Sequence, residues 1–179
     1  MSWNDYYARR DALDAVLRHA ERDPSGPLPF AEIDRAAELF GNEERLLLAL
    51  YYRWTQRLSG YLRAEVAGPE DSDVAPGADE PDYADRVADA WRTTAAENPA
   101  LRAVLDASIE RYPAALIPAL EREQRMLAVT AGLAEPYEPG AEVTRIGAAF
   151  LALVRHRDAK PARRSSPVGQ LLRLLAPSA

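Results

Sequence analysis

Cysteine is absent from the 179 residues, so neither a disulfide nor a thiolate-bound metal can enter any account of stability or chemistry. Histidine is scarce: His19 and His156 are the only two. They stand far apart, each beside basic residues, in no HExxH or paired spacing and in no carboxylate-rich ligand motif. Both read as surface helix residues, and no metal is expected. No apolar run approaches the roughly 20 residues of a spanning helix, and the start MSWNDYYARR has no apolar signal core. A transmembrane segment is therefore not expected, and the expected location is cytoplasmic. Of 22 basic residues only Lys160 is a lysine, which speaks of a genome rich in G and C rather than of function.

The usual scaffolds of catalysis are missing too. There is no Gly-rich phosphate loop, no GxSxG and no other nucleophile elbow. Acidic pairs such as Glu121 with Glu123, or Asp85 with Asp89, are what solvated helices ordinarily carry. Glu121 and Arg125 have the i,i+4 spacing of a surface ion pair. No catalytic residue and no cofactor is expected, and the chain reads as a non-enzyme.

What is present is an ordinary globular composition, 47% apolar and 28% charged, with a net charge of −6. That charge opposes nonspecific attraction to a polyanion unless positive residues are gathered in one place. Charge is unevenly spread. Gly68 to Asp85 carries seven acidic residues and no basic one, with prolines and glycines that mark a linker or solvated loop. Arg155 to Arg173 carries six basic residues against the single Asp158.

Apolar spacing is helical nearly throughout, and no stretch sustains strand alternation. A first helix is expected over Asn4 to Glu21, its inner face carrying Leu13, Val16, Leu17 and Ala20. The Asp23 to Pro29 segment stops it. A short helix from about Phe30 to Phe40 should turn Phe30, Ile33, Ala37 and Phe40 inward. Gly41 ends it, and Asn42 is placed to cap the next helix, with Glu43 and Glu44 set against its positive end. That third helix is the longest: Leu47, Leu50, Tyr51, Trp54, Leu58, Tyr61, Leu62 and Val66 form one stripe for about six turns. A fourth helix carries Tyr83, Val87, Ala90 and Trp91. Asn98 and Pro99 supply the cap and first position of a fifth, lined by Leu101, Val104, Leu105, Ser108 and Ile109. A sixth runs from Pro113 to about Ala131, bent or loosened at Pro118 and stopped by Gly132. A seventh carries Val143, Ile146, Ala149, Phe150, Leu153 and Val154, with Gly147, Ala148 and Ala149 small enough to admit another helix. Val168, Leu171, Leu172, Leu174 and Leu175 outline a last amphipathic helix.

The expected fold is all-α, an irregular bundle of seven to eight helices. Three parts are expected: a headpiece over 1–41, a helical core and dimerisation domain over 42–157 with an acidic loop at 68–82, and a basic tail over 158–179 with a short amphipathic helix. Tyr51, Tyr52 and Trp54 with Arg53 and Arg57 resemble a nucleic-acid stacking surface, but Tyr51 and Trp54 share the leucine stripe and read as core. Tyr83, Trp91 and Tyr112 are the candidates to line a small-molecule cavity between helices. The tail, with Arg163, Arg164 and Arg173 beside its leucines, either folds back on the bundle or docks on an anionic surface or a partner groove.

The order of these features resembles a TetR-type regulator. A first helix bears the basic pair Arg9 and Arg10, a short helix begins at PFAEID, and the junction ELFGNEERLLLAL, from Phe40 and Gly41 through Asn42, Glu43, Glu44, Arg45, Leu46 and Leu47, opens a long helix. In that family such a junction joins a DNA-binding headpiece to a ligand and dimer domain. The resemblance covers most of the chain, through NPALRAVLDAS and the Gly147 region, without a specific motif. It departs where family members place a recognition helix. Only about three residues separate Ala37 from Phe40, too few for a turn and another helix at about 1.5 Å per residue. The resemblance thus implies one of two things. Either DNA reading has been lost and the protein acts as a homodimer through protein contacts, with Gly147, Ala148, Phe150 and Val154 at the dimer interface, or the short helix reads DNA while Arg9, Arg10, Arg18 and Arg35 contact phosphates. Acidic Glu32, Asp34 and Glu38 weigh against the second.

Overall fold

The computed structural model describes residues 3–23, 26–66 and 83–158. Among them are seven α-helices and no strand: α1 (Trp3–Ala20), α2 (Ala36–Phe40), α3 (Glu43–Val66), α4 (Tyr83–Glu97), α5 (Pro99–Ile109), α6 (Pro113–Thr130) and α7 (Gly140–Asp158). The acidic loop at 68–82, and the tail with its expected amphipathic helix and Arg163, Arg164 and Arg173, lie outside the described residues.

The long α3 is the spine. Leu47, Leu50, Tyr51, Trp54, Leu58 and Leu62 are all buried, while Tyr52, one step off the stripe, is exposed. At about 1.5 to 3 kcal/mol for each large apolar side chain removed from water, that stripe dominates the packing energy of the helix. Asn42 starts it as expected: its Oδ1 accepts the Arg45 backbone N–H at 2.9 Å, satisfying one orphan donor of the first turn. Trp54 meets Trp91 edge to face at 5.9 Å, and further along Tyr61 donates to Glu97, so α3 and α4 run in the same direction. One continuous core takes in Ala12, Val16 and Ala20 of α1, Leu39 and Phe40 of α2, and residues through Val154 of α7. The headpiece expected over 1–41 therefore has its apolar residues in the same core as α3 to α7.

The region between α1 and α3 differs from the single helix expected from Phe30 to Phe40. A three-residue 3₁₀ turn, Phe30–Glu32, is separated from the five-residue α2. Ile33 is extended (φ −87°, ψ 122°) and Arg35 takes the left-handed region at φ 57°. That conformation is unfavourable for a side chain with a Cβ, and it is held by a two-pronged bond from Arg35 to Glu38 at 2.6 and 2.8 Å. The break resets the helical phase: Ala36, Leu39 and Phe40 are buried and Ala37 is exposed, where an unbroken helix would have turned Ala37 inward.

Later elements end as their sequences dictate, with one exception. Gly132, at φ 68°, closes α6; its N–H reaches the Val129 carbonyl at 3.1 Å and that of Leu133 the Ala128 carbonyl at 2.9 Å, a Schellman pair. The α6 helix continues through Pro118, whose missing donor removes one bond in an exposed turn. The exception is Asn98. It sits at the cap position of α5, but its side-chain Nδ2 donates backward to the Thr94 carbonyl at 2.8 Å, closing α4 instead of capping α5. Pro99 occupies the first position of α5, and lacking an N–H it needs no cap for itself.

Candidate functional site

Two places concentrate polar side chains. The first is the corner where α1, α2 and the start of α3 meet, which holds three of the four arginines singled out for phosphate contact. Arg35 is exposed, paired with Glu38 and 3.8 Å from Asp5; the Glu38 carboxylate raises the guanidinium pKa further, and the guanidinium lowers that of Glu38. Arg10 leans on the Tyr7 ring at 5.1 Å and lies 3.4 Å from Asp11. Arg9 stacks over Phe40 at 5.5 Å. Arg18 is exposed on the last turn of α1, about 13 Å along the axis from Arg9 at 1.5 Å of rise per residue. The four are not gathered into one basic strip, and the charge of Arg35 is matched within its own turn.

The second place is inside the bundle, and its key residue is one that reads as a solvated acid from sequence. Glu123 on α6 is 2% exposed. It accepts the Tyr51 hydroxyl and the Trp91 indole N–H at 2.9 Å. Arg102 of α5, 6% exposed, has its Nη1 3.6 Å from Glu123, an ion pair too long for a hydrogen bond. The same guanidinium lies over the Trp54 ring at 4.9 Å and is held by both oxygens of Asp106 at 2.6 and 3.0 Å. Arg155 of α7 reaches Asp106 at 3.1 Å and stacks on Trp91 at 5.5 Å. Five helices, α3 to α7, are joined through this network. Burial works against the charge of Arg102, yet Glu123 and Asp106 more than offset it and its pKa rises.

Tyr51 reports on the same network. Burial first, and the Glu123 carboxylate second, push its phenol above the ordinary value of 10.0. The folded state thus keeps the neutral phenol. Its contribution is intact below about pH 10, the unfolded value, and is lost as pH rises from there toward the folded pKa. Melting temperatures measured from about pH 8 to about pH 11 should fall steeply above about pH 10. Tyr51→Phe should flatten part of that fall, the rest belonging to Tyr61 and Tyr112, whose bonds to Glu97 and Glu43 also raise them. Identical slopes in wild type and variant would show that Tyr51 is not held neutral.

The three aromatic residues named for a ligand cavity are placed apart. Tyr83 is exposed on the first turn of α4 under Arg86, Trp91 is buried against Glu123, and Tyr112 bonds Glu43 at the start of α3. On α7, Gly147 faces α6 so closely that a Cβ there would lie 1.9 Å from the Gln124 carbonyl oxygen. The helix that its small side chain admits is α6 of the same chain. Val154 is buried and Phe150 packs on the core; Ala148 is half-buried, and the exposed residues of α7 include the apolar Ala149, Ala152 and Leu153 beside Glu142, Arg145 and His156. His156 is exposed and His19 half-buried, and no cluster of potential metal ligands occurs among the described residues. None of the helices among the described residues is long and apolar enough to cross a membrane. No protein-family model, curated protein or solved structure gives a significant match to this chain.

Proposed function

We propose that this chain is a TetR-like regulatory protein, non-enzymatic, acting as a homodimer through protein contacts rather than by reading a DNA sequence. One observation carries the reading: the connection between α1 and the spine holds only a three-residue turn and a five-residue helix. A reading element must lay several successive side chains along base edges, and five residues span about 7.5 Å at 1.5 Å of rise each. Three of those five, Ala36, Leu39 and Phe40, are buried in the core, so the face that could meet a groove offers only Ala37 and Glu38. Self-association in this reading uses the outward face of α7, where Leu153 is 67% exposed.

The test is binding of the purified protein to its own upstream DNA and to random duplex across a salt series, with the mass measured in solution. The expected outcome is a mass of two chains that falls to one in Leu153→Arg, and no preference between the two DNAs. Tight binding to the upstream DNA, well above random duplex and surviving moderate salt, would establish a repressor with a compressed headpiece instead.

A further inference from the structure

A cleft of about 310 Å³ opens at the corner of α1, α2 and α3. Two guanidiniums line it, Arg9 from α1 and Arg45 from the first turn of α3, together with Phe40, Gly41 and Glu38. Among the described residues neither arginine has a carboxylate within 4.0 Å. Glu38, the acidic residue of the wall, is already neutralised, since both its oxygens accept from Arg35. The cleft therefore carries two uncompensated positive charges, in a chain whose net charge is −6. Like charges lining one cleft repel, and an anion between them would relieve that repulsion.

One of the two cations is held in place and the other is anchored at its backbone. Arg9 is held over the Phe40 ring at 5.5 Å. The backbone of Arg45 is fixed by the Asn42 cap at 2.9 Å. Gly41 between them has a positive φ of 81°, a conformation glycine adopts without strain, so glycine permits the corner. We propose that this cleft binds a small phosphorylated molecule, its phosphate dianion held between Arg9 and Arg45. Two cations match a dianion better than the single charge of a carboxylate, and the guanidinium fork matches phosphate oxygens two at a time. The volume lies at the lower end of the roughly 300 to 1,000 Å³ of small-molecule sites, enough for a phosphate and a short body. The inference rests on neither self-association nor the absence of DNA reading, because the cleft is complete within one chain.

Calorimetric titration of the full chain with inorganic phosphate and with glycerol 3-phosphate, in a chloride buffer, tests it, with acetate and a short duplex DNA as comparison ligands. Both phosphates should bind and raise the melting temperature, as any ligand of the folded state must. Arg45→Gln, an exposed position that leaves the fold intact, should weaken both by about tenfold or more, as should Arg9→Gln. Arg9→Lys, which keeps a charge and the aliphatic stem on Phe40, should lose less. Arg122→Gln, exposed on α6, should change nothing. The proposal is overturned by no binding at about 10 mM phosphate, by acetate binding as tightly as phosphate, by equal weakening in Arg122→Gln, or by duplex DNA binding where phosphate does not.

Discussion

Glu123→Leu is expected to remove a large part of the stability of the fold, with a loss of about 3 to 5 kcal/mol for stripping one partner from a buried ion pair. The size follows from what stays behind. Arg102 keeps its charge in a site where it is 6% exposed, and its Nη1 already lacks a hydrogen-bond partner. The Tyr51 hydroxyl and the Trp91 indole N–H lose their acceptor, and each buried donor left unmade adds about 1 to 3 kcal/mol. These contributions overlap because the groups share one partner, so they do not simply add. Against a typical total of about 5 to 15 kcal/mol, even the lower figure shifts a urea midpoint far outside error. Glu123→Gln, which keeps acceptor oxygen but removes charge, should fall between. Adding Arg102→Met to Glu123→Leu should recover part of the loss, since an apolar pair of similar volume often replaces a buried ion pair without penalty. Urea denaturation with matched slopes decides it: a loss below about 1 kcal/mol for Glu123→Leu would mean that the carboxylate is not buried among these donors.

The network was hidden from a reading by residue type, though not from one by phase. Glu123 lies beside Arg122 and between Glu121 and Arg125, which suggests a solvated face, and Glu121 does pair with Arg125 at 3.8 Å. Yet Glu123 is seven residues after Leu116, four after Ala119 and four before Leu127, all of which are buried, so the periodicity places it inward. A buried acid implies buried donors, and the residues that supply them, Tyr51, Trp91 and Arg102, come from helices far away in sequence. No spacing rule brings them together. The stripe of α3, the Asn42 cap and the Gly132 stop were legible because each depends on neighbours within one or two turns. The break at Arg35 was not, because a left-handed arginine is unfavourable locally and is held by Glu38 and, at longer range, Asp5. The cleft lined by Arg9 and Arg45 is half legible in the sequence: Arg9 belongs to a basic pair on a helix, while Arg45 lies within a mixed-charge junction. Its significance lies in the absence of an acidic partner among the described residues, which depends on how the helices meet.

Gly147→Val should release α7 from α6. Exchanging a mid-helix glycine usually helps, since glycine in a helix interior is about 1 kcal/mol worse than alanine. Here the opposite holds, because a Cβ at 147 would lie 1.9 Å from the Gln124 carbonyl oxygen, 2.4 Å from its carbonyl carbon and 2.9 Å from its Cα. All three atoms are backbone of a continuous helix, so no side-chain rotation relieves them and one helix must move. Overpacking that side chains can absorb costs about 1 to 3 kcal/mol; a backbone collision should meet or exceed the upper end for alanine, and more for valine. Movement of α7 would also withdraw Val154 from the core and Arg155 from Asp106 and Trp91, coupling this face to the buried network. Gly147→Ala and Gly147→Val should therefore lower the melting temperature in that order, and the valine variant should lose the near-ultraviolet signal of its packed aromatic residues before its helical signal. A glycine-to-alanine exchange that stabilises the protein would show instead that the two helices stand apart, leaving Gly147 free for a partner molecule.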